Sequence, residues 1–401
     1  MQTAILTIGD ELLDGSVTDT NAAWLGEFLA DHGLRCGEIR TIADDLTAIE
    51  TALRQLAEGH DLCLVCGGLG PTDDDRTMDA VARAADDQLA FDADVWAMIE
   101  TRYGDRPIPE NNRKQAMVPQ RATVLPSDVG TAPAVQLSIG HCEVFVMPGV
   151  PSEMRWHTRR YLSPYLRKKV KDPLKTTTLR FTGVGESDLA LLISGLSFPT
   201  DVTVSYCTRS PENHVILRSG ESSSIEEAAT LIANAAGSCF VGRDHVGIPE
   251  SVLASLQSRA LTLGTAESCT GGLIGAEITR CAGASSVFTG SIVSYSNEVK
   301  IQRLGVDEAL ITSHGAVSEP VAAQMALGLH KAVGCDIGLS VTGIAGPGGG
   351  SPEKPVGTVC FGWSGPDWHE TETKRFRGDR EQVRRRAVAF ALDKIRRRYV
   401  R

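Results

Sequence analysis

Short apolar runs that stop on glycine turns constrain this chain more than any other feature. They include "TAILTIG" (Thr3–Gly9), "DLCLVCGG" (Asp61–Gly68), "HCEVFVMPG" (His141–Gly149) and "DIGLSVTG" (Asp336–Gly343). A strand that is apolar on both faces needs cover on both faces, and a mainly parallel sheet flanked by helices supplies it. The intervening segments read as helices. In "TNAAWLGEFLADHG", Trp24, Leu25, Phe28 and Leu29 recur at helical spacing, and Gly33 closes the run. The alternation predicts an α/β fold with ligand sites at the carboxyl ends of the strands.

The pattern occurs twice, with a different segment between. Residues 1–168 and 248–401 read as α/β domains, whereas 169–247 read as a small α+β module. The module follows the basic stretch "RKKVKDPLK", read as a solvated linker. It holds a strand pair, "DVTVSYC" with "HVILRSG", and a helix, "SIEEAATLIANAAG". The last domain closes on an amphipathic helix with Val383, Ala387, Phe390, Ala391 and Ile395 on one side.

With 42% hydrophobic and 22% charged residues, the 401-residue composition is that of a soluble globular protein. No apolar run approaches the ~18 residues that span a bilayer, and "MQTAILTIGDELL" lacks a basic n-region, so a cytoplasmic protein is expected. A formal charge of −10 argues against general nucleic-acid binding, including by the basic end of the closing helix. Ten cysteines are too sparse for a disulfide scaffold. The CxxC pair Cys63/Cys66 lies within a strand run rather than at a helix start, which argues against a redox role.

"TAESCTGGLIGAEI" (Thr265–Ile278) places Ser268 between a strand and a segment of helical spacing that starts at Gly271. Free amides at a helix start stabilise an anion, and glycines let a ligand approach the backbone. Helix capping is the competing reading. No GxSxG is present, and His314 in "SHGAVSEP" is the best candidate for a Ser–His pair. "SYSNEVK" offers Tyr295 and Lys300 at the end of an apolar strand, and a lysine of lowered pKa can deprotonate serine. The Gly-rich loop "SVTGIAGPGGGSPEKPVGTV" (Ser340–Val359) presents many amides, Thr342 offers a hydroxyl, and Arg380 suits a phosphate. Together these residues suggest amide hydrolysis on a phosphorylated small molecule.

"AESCTGG", "SYSNEVK", "HGAVSEPV", "SVTGIAGPGGG", "KPVGTV" and "FRGDREQVRRRAV" resemble the C-terminal domain of the CinA family, the nicotinamide mononucleotide deamidases. The resemblance implies hydrolysis of nicotinamide mononucleotide to nicotinate mononucleotide and ammonia. It implies Ser268 as nucleophile, Lys300 and Tyr295 as its partners, and Thr342, Gly343, Gly346, Arg380 and Gly271 as substrate contacts. It requires no cofactor at this site, and Cys269 is expected to be a packing residue.

In the first domain, "GGLGPTDDDRTMDAV" sets Asp73, Asp74 and Asp75 in one turn, and Asp10 and Glu11 end the first strand near the same sheet edge. Clustered acids suit a hard cation when a phosphate completes its shell, although macrodipole-favoured helix-start acids are the competing reading. "NNRKQA" adds Lys114 for phosphates. With "DTNAAWL", "GTAP" and "MPGVPSEM", these segments resemble the CinA N-terminal domain, which is similar in fold to the MogA/MoaB-type molybdopterin-binding domain. That likeness implies an ADP-ribose pyrophosphatase using Mg, Mn or Co, with Asp74 and Asp75 as metal ligands. Ala134 stands where glycine is expected after "GTAP", and its methyl group is expected to crowd a ligand. The module resembles the family's KH-like domain but shows no GxxG clamp. A homodimer is expected. The alternative reading is a pterin- or nucleotide-binding competence-related adaptor with an inactive N-terminal domain.

Overall fold

The computed structural model describes residues 1–399. It divides into two compact units, Met1–Thr176 with Ser219–Ser222 and Thr177–Arg218 with Ser223–Arg401.

The first unit is built on β1 (Thr3–Ile8), β2 (Cys36–Ile42), β3 (Leu62–Cys66), β4 (Leu89–Phe91), β5 (Met117–Pro119), β6 (Thr123–Leu125), β7 (Ala134–Ile139) and β8 (Cys142–Met147). Six of these form one sheet in the order β2-β1-β3-β8-β7-β6, and β4 pairs with β5 separately. β1, β2, β3 and β8 run parallel, while β7 and β6 turn antiparallel. Every residue of β1 and β3 is buried, as their mainly apolar runs lead one to expect, and β1 buries Thr3 and Thr7 with the rest. Helix Leu46–Gly59 covers one face of the sheet through Ile49, Leu53 and Leu56, and Thr20–Asp31 covers the other through Leu25, Phe28 and Leu29. Cys63 and Cys66 are free and buried, and burial pushes the Cys66 thiol up to about 12. Ala134 packs in the core beside Leu125, Phe145 and Met147.

The second unit contains two sheets. Strands β9 (Lys175–Phe181), β10 (Thr203–Arg209), β11 (Glu212–Ser219) and β12 (Phe240–Arg243) pair in the order β10-β11-β9-β12. Their core of Leu179, Phe181, Val215 and Leu217 is capped by Ile225, Ala229 and Ile232 of helix Ser222–Ala236. The basic stretch before β9 is partly helical, since Ser163–Lys169 forms a helix.

The larger sheet comprises β13 (Leu263–Glu267), β14 (Phe288–Val293), β15 (Ile337–Gly343), β16 (Thr358–Gly365) and β17 (Trp368–Arg375), in the order β14-β13-β15-β16-β17. β13 is parallel to both neighbours, and β16 and β17 are antiparallel. Helix Glu319–Ala332 packs on one face, while Ile248–Gln257 and Arg380–Tyr399 share a core that includes Phe361 and Trp363. The closing helix buries Val383, Ala387, Ala391 and Ile395, with Phe390 partly buried. Not all of its basic end is a solvated face. Arg396 is 2% exposed, pairs with Asp393 at 2.7 Å, and donates to the carbonyls of Ser238 and Phe240.

Candidate functional site

Three strands end in a row of hydroxyls. In the β13–β14 register Glu267 faces Val293, and in the β13–β15 register it faces Val341, so the next residues along are Ser294, Ser268 and Thr342. The ladder continues through this row, because the Ser294 amide donates to Glu267 O and the Ser268 amide to Val341 O. Ser268 therefore stands at the carboxyl edge of the central strand of the parallel trio.

Lys300 meets it there. The lysine belongs not to a strand end, as its sequence setting suggested, but to helix Asn297–Leu304, which Ser296 caps by accepting from the Val299 amide. Its side chain is 1% exposed, and Nζ donates to Ser294 O at 2.7 Å, Tyr295 O at 3.3 Å and Ser268 Oγ at 3.4 Å. No ion pair involving Lys300 is present among the described residues. Burial holds its pKa below the usual lysine range, with Cys269 and Glu298 opposing the shift.

Tyr295 joins this group through its backbone. Its side chain is 63% exposed, and its hydroxyl accepts from Arg380 Nη2 at 3.2 Å. Arg380 Nη1 donates to Gly346 O at 2.6 Å, so one guanidinium links the tyrosine to the Gly-rich loop. Thr342 is buried, and its hydroxyl is committed to Ala316 O at 2.9 Å. Gly343 is needed for space, because a Cβ there would sit 2.8 Å from Val359 and 3.0 Å from the Cys269 sulfur. Gly346 and Gly271 both adopt left-handed φ, at +90° and +63°. His314 is exposed at the end of helix Glu308–His314, and its carbonyl accepts from Lys354. No hydrogen bond joins His314 to Ser268 among the described residues.

Two residues of this site escaped the sequence reading. Glu267 is fully buried, and its carboxylate accepts from the amides of Gly272 (2.9 Å), Ile274 (3.0 Å) and Gly275 (2.9 Å), and from Ser291 Oγ (3.3 Å). Charge-assisted bonds of this kind are worth about 1.5–3 kcal/mol each, so Glu267 pins the turn after Ser268 to the start of helix Leu273–Thr279. It also corrects the expectation of a free helix start at Gly271. The amides of Cys269 and Thr270 are those in the turn that neither Glu267 nor a turn carbonyl takes. Arg384 is the second, donating to Thr270 O at 2.8 Å from the closing helix. An acid directly after the strand-like run "LTLGTA" was the available sign for Glu267. Cys269 is 6% exposed within the core, and burial pushes its thiol up to about 12.

In the first unit, Asp10 and Glu11 open a short helix, Asp10–Leu13, directly after β1. The Asp10 amide donates to Asp44, and the Asp44 amide to Asp10. Burial holds the Asp44 carboxyl above its usual range, and the charges of Asp10, Glu11 and Asp74 push it further the same way. Asp44, in the loop after β2, was missed because nothing local in "IADDL" marks it. Asp75 turns to Thr72, accepting from its amide and its hydroxyl, while Lys114 donates to Thr72 O. Among the described residues, no group of three or more His, Cys, Asp or Glu is set to hold a metal ion by itself. Nor is any helix long and apolar enough to cross a membrane.

Comparison with known proteins accounts for both units. Residues 246–399 match the family described as the CinA C-terminal domain, and residues 4–168 match the probable molybdopterin binding domain. The chain is 40% identical to a CinA-like protein of Citrifermentans bemidjiense over 99% of this chain and 97% of that protein. It is 39% identical to a putative competence-damage inducible protein of Symbiobacterium thermophilum, covering 98% and 97%. Among solved structures, the protein CinA from Thermoplasma acidophilum aligns with 41% of this chain and 96% of its own, at 35% identity and TM-score 0.39. With relatives matched from end to end and a family assignment on each α/β domain, the chain belongs to the CinA family and joins a molybdopterin-binding-type domain to a CinA C-terminal domain.

Proposed function

We propose that this protein hydrolyses the carboxamide of nicotinamide mononucleotide, releasing nicotinate mononucleotide and ammonia, with Ser268 as nucleophile. The observation that carries the reading is the buried Lys300 amine, unpaired with any acid and 3.4 Å from Ser268 Oγ. Ser294 O and Tyr295 O each take one N–H, which leaves the third tetrahedral direction of the amine for Ser268. In the neutral amine that direction is the lone pair. Lys300 then accepts the serine proton as Oγ attacks the carboxamide carbon, and passes it to the nitrogen that leaves as ammonia. The amides of Cys269 and Thr270 receive the developing oxyanion. Arg380 and the amides of the Gly-rich loop hold the phosphate, and Tyr295 borders the substrate beside Arg380.

The test is ammonia release from nicotinamide mononucleotide by the purified protein. Turnover is expected without added metal and unchanged by EDTA. Loss of turnover in EDTA with recovery on adding a divalent ion would refute the metal-free mechanism.

The acidic group of the first unit supports a second activity, cleavage of ADP-ribose. The Asp44 carboxylate meets the charges of Asp10, Glu11 and Asp74 at one sheet edge, and a hard cation relieves that repulsion. The donor set is all oxygen and needs a substrate's phosphates to complete it, as Mg²⁺ and Mn²⁺ sites commonly do. Asp44 and Asp74 would hold the ion, Lys114 would face the phosphates, and Asp75 would brace the turn. When bound, the ion supplies charge neutralisation at the pyrophosphate. Cleavage of ADP-ribose is expected only with divalent metal and is expected to fall at least ~10-fold in Asp74→Asn, by the loss of electrostatic stabilisation. Metal binding by the wild type without cleavage would make this domain a binding module.

A further inference from the structure

Two buried side-chain oxygens in the second unit have no hydrogen-bond partner among the described residues, Thr270 Oγ1 and Ser294 Oγ. Both residues are fully buried, and both adjoin the nucleophile. Thr270 lies two positions along the turn from Ser268, and Ser294 lies one strand across. A buried hydroxyl with no partner in the protein itself is destabilising and rare, so two at one site need a cause outside the chain.

The position of Ser294 indicates what that cause is. Side chains alternate along a strand, and residues in register on parallel neighbours share a face. Ile292 and Ala266 pack in the same cluster with Leu304 and Val321, on the face of helices Asn297–Leu304 and Glu319–Ala332. Two residues further on, Ser294 and Ser268 fall on that same face, where Lys300 also lies. The Ser294 carbonyl already holds Lys300 Nζ at 2.7 Å, whereas its hydroxyl holds nothing.

Resting on the amidohydrolase reading, we propose that the Ser294 hydroxyl is a further catalytic residue, which holds the leaving ammonia and then the water that replaces it. Amide hydrolysis through a serine ester has two halves. In the second, the water oxygen bonds to the ester carbon while one water proton passes to the Lys300 amine. The bond from that carbon to Ser268 Oγ then breaks, and Lys300 returns the proton to Oγ. Ammonia and water are both small hydrogen-bonding molecules that must occupy one place in turn. A hydroxyl both donates and accepts, so it serves each of them. Among the described residues, no group of the protein competes for it.

Ser294→Ala separates this role from a structural one. Removing an unpartnered buried hydroxyl leaves no group stranded, so the melting temperature should be unchanged or higher. Steady-state ammonia release should fall at least ~10-fold, the lower end of effects on groups that position a reactant. The loss should lie in the second half-reaction, giving a rapid burst of about one ammonia per site and an adduct on Ser268 visible by intact-protein mass spectrometry. Wild-type steady-state turnover in Ser294→Ala would overturn the proposal, as would equal slowing of burst and steady state. If wild type itself released no ammonia from nicotinamide mononucleotide, the amidohydrolase reading would fall instead, so the two failures are distinguishable.

Discussion

Ser268→Ala is expected to lower ammonia release from nicotinamide mononucleotide by about a thousandfold or more, the scale on which removal of a covalent nucleophile acts. A thousandfold corresponds to about 4 kcal/mol of lost transition-state stabilisation. Binding should survive, because the phosphate is assigned to Arg380 and the Gly-rich loop, which do not depend on the serine hydroxyl. The loss should therefore appear in kcat with little change in the dissociation constant for nicotinamide mononucleotide, measured by calorimetry. Cys269→Ala is the internal control. Its thiol, pushed up to about 12 by burial, stays protonated at neutral pH and packs in the core. That variant should turn over at near the wild-type rate. Collapse of activity in Cys269→Ala with an intact fold, or normal turnover in Ser268→Ala, would identify a different nucleophile.

Lys300→Met is expected to cost 10²–10⁴ in turnover, the range for a lost general base, and at the same time to raise stability at neutral pH. The physical basis is desolvation, which holds the buried amine's pKa below the ordinary lysine value. In the unfolded chain that amine binds its proton at the ordinary value, so between the two the unfolded state carries more protons. Stability conferred through Lys300 therefore rises with pH across that window, and below it the buried ammonium is a cost. Methionine removes the cost while keeping the volume. Activity has the same sign, since only the neutral amine accepts the serine proton. Turnover in wild type should climb as pH rises through the lowered lysine value. Paired pH–rate and melting curves for wild type and Lys300→Met check both statements. A wild-type rate that falls as pH rises through the alkaline range would exclude Lys300 as the base.

Much of the architecture was legible in local sequence. The strands at Thr3, Leu62, Cys142 and Ile337 follow from short, mainly apolar runs, because burial on both faces leaves a composition signal that needs no knowledge of neighbours. The helix from Thr20 and the closing helix follow from spacing alone. Boundaries were less legible. The strand expected around "SIVSYS" ends at Val293, and Ser296 instead caps the helix that carries Lys300.

The residue types of the candidate site could be read from the sequence, but their partners could not. Ser268, Lys300 and Arg380 were singled out by residue type and context, and Gly346 by the family resemblance. That Lys300 reaches Ser268 at 3.4 Å, that Tyr295 turns to Arg380, and that Glu267 takes three amides of the following helix were decided by tertiary structure. Likewise Asp44 meets Asp10 only because β2 lies beside β1. The physical reason is range. Hydrophobic periodicity is a property of a few consecutive residues, whereas a hydrogen-bond partner is chosen by strand register and helix packing between segments tens of residues apart.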